Sequence, residues 1–305
     1  MKKKGIMIGI FFLALLLPLI SAGFLDKIFG KDVRESPQDF SVRVGNTPPT
    51  VTVQSIINPI IPAGSTGPVN IIFRASDNNG ITTLVDSSIF IALNYSGGGE
   101  SRAGTNANCI PTDIDSITRE YNCNITLFYY DHSGIWGINA SIRDTGDLQG
   151  KDDDNTTVVP ELRAISFPAG TIGFGSVTPG QTNIASLLPT GLTNNGNYGL
   201  DGVANSLYVE STSLIGQTNG AYNIPANNFK AAGASVSDVC SVGGTNLVGT
   251  PTQTPIPSVV LPKGSLGTSF PTENVSYCLT LVPSGLLDQI YSTTASGGVA
   301  WQITI

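Results

Sequence analysis

The stretch NITLFYYDHSGIWGINASI, residues 124–142, holds the pattern that decides the fold. Apolar and polar or small residues alternate there on both sides of a short polar segment, residues 131–134. The apolar positions are Ile125, Leu127 and Tyr129 before that segment, and Ile138, Ala140 and Ile142 after it. A period of two indicates strands with one buried face, and the segment between them is typical of a turn. The stretch therefore predicts two strands joined by a turn.

The same alternation recurs along the chain between clusters of Gly, Asn, Asp and Pro. Further segments are 51–54, 69–73 and 89–93 in the first half, and 162–167, 207–209, 259–261, 275–282 and 299–305 in the second. Charged residues make up 12% of the chain, about half the usual share, and Gly, Asn, Ser and Thr fill the polar positions instead. This composition suits strands and tight turns. The sequence predicts an all-β protein, and 305 residues exceed what one sandwich usually takes.

The first 25 residues predict export. Lys2, Lys3 and Lys4 precede an uncharged, apolar run that ends near the small residues Ser21, Ala22 and Gly23. This order is typical of a signal peptide, residues 1–23, and predicts an extracellular or cell-surface location. Two alternatives stay open: an uncleaved N-terminal anchor, which would be the sole membrane contact, and processing after Lys4 as in type IV pilin-like precursors. Both alternatives place the rest of the chain outside the cytoplasm.

Four short motifs of the first half together resemble those of a known type of domain. They are Asn46-Thr47-Pro48-Pro49-Thr50-Val51, Ala75-Ser76-Asp77 at a strand end, and Asp131-x-x-Gly134-x-Trp136 with Arg143-Asp144-x-Gly146 after the next strand. Together they resemble immunoglobulin-like and PKD-type modules of exported surface proteins of archaea and some bacteria. The resemblance covers residues 45–160 and implies an immunoglobulin-like sandwich with Trp136 in its core.

The predicted organisation follows from the leader, the resemblance and the chain length. Two antiparallel immunoglobulin-like β-sandwich domains lie in tandem after the N-terminal export leader. The leader spans residues 1–23, an extended segment with one unaccompanied strand spans 24–44, the first sandwich spans 45–160, and a second β-sandwich spans 161–305. The likeness of the second half is looser, and it implies no site residues.

Four cysteines predict two disulfides. Cys109 and Cys123 lie in the first half, Cys240 and Cys278 in the second, and an even number in an exported chain favours bridges. Pairing within each half is preferred among the three arrangements because each half can then fold alone. Only 13 residues separate the first two cysteines, too few for the inter-sheet bridge of antibody domains. We therefore expect that bridge to close an inserted loop, next to Tyr121 in a position that mimics a tyrosine corner.

Two further sets of side chains are candidate sites. Five sequons begin at Asn94, Asn124, Asn139, Asn155 and Asn274, and each is a candidate for glycosylation in an exported chain. Clustered oxygen ligands suggest structural calcium at Asp77 and at Asp152, Asp153 and Asp154, although neither cluster has the spacing of an EF-hand loop. The alternative is that Asp77 belongs to a turn and that residues 151–155 form a solvated loop.

Charge and residue types exclude several functions. Without the leader lysines, 12 basic residues face 22 acidic ones, and the net charge of −10 disfavours nucleic acid. His132 is the sole imidazole and is expected to be a solvated turn residue, and no Asp or Glu is predicted to sit among aromatic rings. Both observations argue against nucleophilic and glycosidase chemistry. No catalytic residue and no cofactor other than calcium is predicted.

Three non-catalytic functions remain. The first is a cell-surface or secreted protein with an adhesive, envelope-associated or structural role, whose partner is an envelope protein or a glycan. The second is a subunit of a filament or lattice that self-associates by strand addition of residues 39–44. The third is a carbohydrate-binding module, which needs an exposed aromatic strip, and Tyr129, Tyr130 and Trp136 are its candidates.

Overall fold

The structure is a computed structural model that describes residues 41–168, 170–200, 207–264, 270–295 and 300–305, without the side chain of Val242. The chain divides into two compact units, Met1–Gly45 and Asn46–Ile305. The predicted leader lies outside the described residues, as do residues 24–40. Within the described residues the fold is all-β, as predicted, and no helix there has the length and apolar character needed to cross a membrane.

Eight strands build a sandwich from residues 50–159. They are β1 (Thr50–Ile57), β2 (Thr66–Ser76), β3 (Leu84–Tyr95), β4 (Ser101–Thr105), β5 (Cys109–Asp113), β6 (Thr118–Phe128), β7 (Gly134–Asp144) and β8 (Gln149–Val159). Short 3₁₀ turns occupy Ile81–Thr83 and Asn106–Asn108. One sheet has the order β1-β2-β6-β5 and the other β4-β3-β7-β8, and all neighbours are antiparallel.

This strand order is immunoglobulin-like. Lettered along the chain as A, B, C, C′, D, E, F and G, the two sheets read A-B-E-D and C′-C-F-G, which are the sheets of the immunoglobulin sandwich. The edge strands β1 and β8 meet across the sandwich, where the Val53 amide donates to Asp152 Oδ2 at 2.8 Å and the Thr157 hydroxyl donates to Asn58 Oδ1 at 2.8 Å. These bonds hold the two sheets together along one side.

The alternation in the sequence explains the core between these sheets. In β2, Val69, Ile71 and Phe73 are fully buried, and their neighbours in the sequence point outward. Trp136, the third residue of β7, is also fully buried, as expected for a core aromatic. Each such side chain contributes roughly 1.5–3 kcal/mol when it leaves water. The period-two pattern therefore specifies which face of each strand is inside.

The second half contains shorter strands. They are β9 (Ile165–Ser166), β10 (Thr182–Ala185), β11 (Thr190–Asn194), β12 (Tyr208–Glu210), β13 (Leu214–Gly216), β14 (Asn223–Ile224), β15 (Phe229–Gly233), β16 (Thr245–Asn246), β17 (Thr254–Pro255), β18 (Thr272–Leu281), β19 (Tyr291–Ser292) and β20 (Gln302–Thr304). A 3₁₀ turn spans Ala226–Asn228 and a π-helical turn spans Val239–Gly243.

The longest of these strands, β18, is the centre of the second half. It pairs with β10, β11 and β15 in one six-stranded sheet, and two three-stranded sheets, β17-β12-β20 and β14-β13-β19, complete the set. Side chains from all three sheets form a second hydrophobic core, separate from the first, which includes Phe229, Tyr277 and Val209. Residues 46–305 form one compact unit, whose described residues have these two large cores and a small cluster of Ala232, Val239, Cys240 and Cys278. The count of two domains stays a prediction.

Three predicted strands of the second half are wrong in length or kind. Of the segment 299–305, the described part forms a strand only at Gln302–Thr304. The segment 162–167 forms only the two-residue strand β9, and 259–261 forms no strand although Leu261 is fully buried. Pro257 and Pro262 flank the latter segment, and a proline removes a ladder donor. In these segments the alternating pattern indicates which side chains are buried, but the backbone does not form regular strand pairing.

Candidate functional site

A polar cluster surrounds His132 in the turn between β6 and β7. The Glu100 carboxylate accepts the backbone N–H of His132 at 2.9 Å, and its Oε2 lies 2.5 Å from His132 Nδ1. The Tyr95 ring stacks on the imidazole with 4.7 Å between centroids, and the indole of Trp136 donates to the His132 carbonyl at 2.8 Å. His132 is thus a turn residue, as expected, but its side chain is only partly exposed to water, at 43%, and its ring is hydrogen-bonded and stacked.

Asp131 forms the buried ion pair of this cluster. Its side chain is fully buried, and both oxygens receive the Arg102 guanidinium, with Nε at 3.1 Å from Oδ2. The Phe128 amide adds a third donor at 2.9 Å. The guanidinium lies 5.2 Å from the centre of the Phe128 ring. Burial raises the pKa of Asp131 above its ordinary value, although Arg102 opposes the shift. Asp131 is therefore a buried carboxylate whose charge is balanced by Arg102, and the aromatic contacts belong to the guanidinium.

The second half adds a cation to the cluster. Lys263 Nζ donates to the Tyr130 carbonyl at 2.9 Å and lies 3.1 Å from His132 Nδ1. Burial lowers the pKa of Lys263, whereas the charges of Glu100 and Asp131 oppose that change. For Glu100, burial favours a higher pKa, but the hydrogen bonds from His132 and the charge of Lys263 outweigh it and lower the pKa. The cluster joins residues 100–102, 131–132 and 263.

The ionisable groups of this cluster are bonded mainly to one another. Each carboxylate already accepts hydrogen bonds from a basic group and from the backbone, and the described partners of His132 include no Ser or Cys nucleophile. The cluster fixes the β6–β7 turn and ties it to the second half.

Both disulfides connect cysteines of the same half, as the sequence favours. Cys109 and Cys123 lie directly opposite one another on β5 and β6, with 4.0 Å between their Cα atoms. The expected inserted loop is therefore corrected: the bridge links neighbouring strands of one sheet. Tyr121 forms no tyrosine corner, because its hydroxyl donates to the Asp86 side chain at 2.6 Å. Cys240 in the π-helical turn is bonded to Cys278 in the central strand β18.

The sequon asparagines differ in exposure. Asn94, Asn124 and Asn274 are exposed, whereas Asn139 and Asn155 are half-buried. The side-chain nitrogen of Asn155, the atom that would carry a glycan, donates to Asp152 Oδ1 at 2.9 Å. Exposure therefore favours glycosylation at the first three positions over the last two, and glycosylation itself stays a prediction.

The four acids considered for calcium do not form one donor set. Asp77 is buried and accepts the Asn79 amide and the Thr83 hydroxyl, each at 2.8 Å, so it stabilises the turn after β2. Asp152, Asp153 and Asp154 lie within β8, and the expected loop at 151–155 is wrong. Asp152 accepts a hydrogen bond from the Val53 amide of the other sheet, and Asp153 forms an ion pair with Lys151 at 2.7 Å. Among the described residues, no three His, Cys, Asp or Glu side chains come together as metal ligands.

The aromatic side chains considered for carbohydrate binding are not exposed. Trp136 is fully buried, and Tyr129 and Tyr130 are 7% and 8% exposed. A stacking platform needs an accessible ring face, so these three residues cannot form one. Their rings pack within the first core and against Phe270 of the second half, which stacks on Tyr129 at 5.1 Å.

A cleft of about 280 Å³ lies in the second half, in a place that the sequence did not indicate. Its walls come from residues 170–172, 174, 214, 291–294 and 300–301. Phe174, Tyr291 and Trp301 contribute aromatic surface, and the remaining lining includes four Ser or Thr residues. The cleft is assembled from segments more than 100 residues apart, which explains why no local motif revealed it.

Comparisons of this chain with protein families, with curated proteins and with solved structures found no match.

Proposed function

We propose that this protein is a non-catalytic exported protein of the cell surface or extracellular space, with an adhesive, envelope-associated or structural role. The observation that supports this most directly is the pair of disulfides, one in each half of an all-β chain. Such bridges persist in oxidising compartments. The mutual pairing of the ionisable groups around His132 supports a non-catalytic role. An envelope protein or a glycan is the proposed partner.

Cell fractionation combined with mass spectrometry tests this proposal. We expect the protein outside the cytoplasm, with a mature N-terminus near Phe24 and with all four cysteines resistant to alkylation until a reductant is added. A retained N-terminus in the membrane fraction would indicate the anchor alternative. A cytoplasmic protein with free thiols would overturn the proposal.

A second candidate function, self-association by strand addition, is favoured by the exposure of residues 41–44. These residues form no strand, which corrects the strand expected at 39–44 within the described part, and Asp39 and Phe40 lie outside it. Val42 and Val44 are 89% and 80% exposed. An exposed segment with apolar residues at every second position suits pairing with a sheet edge of another copy.

Two versions of the protein, one beginning at Phe24 and one at Gly45, separate these functions by light scattering and negative-stain microscopy. Chains or fibres from the longer version alone would favour the assembly subunit. In that version, replacing Val42 and Val44 with Asp should abolish assembly, whereas replacing Ser41 and Arg43 with Asn should not. Monomers from both versions would rule out self-association through this segment.

A further inference from the structure

We propose that the cleft of the second half binds a neutral sugar. The proposal begins with the composition of its walls, which combine the rings of Phe174, Tyr291 and Trp301 with hydroxyl side chains and contain no charged residue among the described residues. A sugar presents apolar C–H faces and a rim of hydroxyl groups, so it matches both kinds of wall. A charged ligand would lose its hydration in this cleft without gaining a counter-charge. The lining therefore favours a neutral, polar-rimmed ligand.

The aromatic walls are held in place before any ligand arrives. The Trp301 indole donates to the Thr212 carbonyl at 2.8 Å, and its ring meets Phe229 edge to face at 5.1 Å. The Tyr291 hydroxyl donates to the Leu287 carbonyl at 3.1 Å and accepts the Leu287 amide at 3.1 Å. Phe174 packs beside Phe229 with centroids 5.4 Å apart. Rings that are already fixed lose little conformational entropy when a ligand binds. The contact with a sugar therefore contributes more to the binding free energy than it would if the rings had to become ordered.

The Ser and Thr hydroxyl groups of the cleft lie where they can form hydrogen bonds with the hydroxyl groups of a sugar. Thr293, Thr294 and Ser292 follow one another along and beyond β19, and Thr171 faces the cleft from the segment before Phe174. Each hydroxyl can both donate and accept, as sugar hydroxyls do. Binding pockets generally combine apolar walls with a few polar groups that set orientation. This cleft has that composition, with a volume just below the usual range of about 300–1,000 Å³.

This inference deepens the proposed surface role by naming a ligand class, yet its test is independent of that role. Location decides the proposed function, whereas binding by the purified whole protein decides the cleft. A cytoplasmic protein that binds sugar would overturn only the former. An exported protein that does not bind sugar would overturn only the latter.

Tryptophan fluorescence gives a specific readout. The chain has two tryptophans; Trp136 is fully buried, and Trp301 is half-buried in the cleft wall. Acrylamide quenching should therefore report mainly on Trp301. The probes are glucose, galactose, mannose, N-acetylglucosamine and their disaccharides, with glucuronate and glucosamine as charged counterparts. We expect at least one neutral sugar to give a saturable fluorescence change and to protect Trp301 from acrylamide.

Two variants test the site and two serve as matched controls. Phe174→Leu removes a ring, and Thr293→Val removes a hydroxyl at nearly constant volume; each should weaken binding about tenfold, equivalent to ~1.4 kcal/mol. Phe90→Leu, on the outer face of β3, and Thr252→Val make the same changes outside the cleft and should leave the affinity unchanged. If Phe174→Leu fails to fold, Thr293→Val still decides.

Three results would overturn the proposal. They are the absence of a saturable response to every neutral sugar at millimolar concentration, equal weakening by the control variants, and binding of the charged sugars as tight as that of the neutral ones.

Discussion

The buried ion pair Asp131–Arg102 and the more exposed pair Arg74–Glu120 differ mainly in their contact with water. Asp131 is fully buried and Arg102 is 13% exposed, whereas the side chains of Arg74 and Glu120 are 43% and 27% exposed. A buried pair that loses one partner leaves an uncompensated charge in the protein, but an exposed pair that is broken regains hydration. The two pairs therefore allow the same substitution to be compared in two environments.

The Arg102→Ala substitution should lower the free energy of unfolding by about 3–5 kcal/mol, because it leaves the buried Asp131 carboxylate without its positive partner. The matched control, Arg74→Ala, should cost no more than about 1 kcal/mol. Urea unfolding of both variants measures the difference. Similar costs for the two substitutions would contradict a structural role for the buried pair.

Burial of Tyr277 makes a second residue-level prediction, at high pH. Burial raises the pKa of Tyr277 to about 12, from an ordinary value of 10.0. The unfolded chain therefore releases this proton at lower pH than the folded chain does. The contribution of Tyr277 to stability is complete below the unfolded pKa and is lost as the pH rises through this interval, by up to about 1.4 kcal/mol per pH unit.

Urea unfolding between about pH 9 and pH 12 measures this effect. The Tyr277→Phe variant keeps the ring in the second core and removes the proton, so its stability should fall less steeply with pH than that of the unaltered protein. Parallel pH profiles for the two proteins would show that Tyr277 ionises without a penalty in the fold.

At the level of elements, the two disulfides act on different kinds of structure. Cys109–Cys123 links β5 to β6, strands that are already hydrogen-bonded neighbours. Cys240–Cys278 ties the π-helical turn to the central strand β18, and its cysteines are nearly or completely buried. The first bridge holds an edge strand onto its sheet, whereas the second holds an irregular segment onto the strand around which the second half is built.

Replacement of both cysteines of a bridge with Ala should lower the free energy of unfolding by roughly 3 kcal/mol for Cys109–Cys123 and roughly 4 kcal/mol for Cys240–Cys278, because the second closes a longer loop. Calorimetry on the two double variants measures this order. A larger loss from the first pair would show that holding the edge strand β5 matters more than loop length.

At the level of the whole molecule, the two cores meet at a junction formed by Gly64, Tyr129, Tyr130, Lys263 and Phe270, together with Asn195 and Gly264. The Gly64 amide donates to the Asn195 carbonyl at 2.8 Å. A Cβ atom at Gly264 would lie 2.7 Å from the Tyr129 hydroxyl oxygen and 3.0 Å from Tyr130 Cβ, so a side chain there would require these tyrosines to move. These contacts favour unfolding of the two cores together.

We expect one thermal transition for residues 46–305, and we expect Phe270→Ala combined with Lys263→Ala to separate it into two. Loss of the ring contact alone should cost about 1 kcal/mol. Phe90→Ala is the matched control, since Phe90 and Phe270 are each 44% exposed and Phe90 lies outside the junction. Two transitions in the unaltered protein, measured by calorimetry, would instead favour independently folding halves.

The accuracy of the sequence-based predictions follows the range of each interaction. Alternation identified the buried faces of β2, β6 and β7, because a residue's side of a strand depends only on its position along that strand. Alternation was less accurate at 259–261, where the flanking prolines disfavour strand pairing. In β8 a different signal misled the prediction, because the run of acidic residues suggested a loop. Asp131 was missed because its partner, Arg102, is brought close by the pairing of β4, β3 and β7.

The sequence by itself determined an all-β chain with local disulfides, a core tryptophan and no excess of basic residues. Only the tertiary structure decided that His132, Glu100 and Lys263 meet, that Trp136 and its neighbours are unavailable for ligands, and that Phe174, Tyr291 and Trp301 line a common cleft. The physical reason is that composition and period act within one element. Contacts between distant segments depend instead on strand order and register, which are set by the packing of the whole chain.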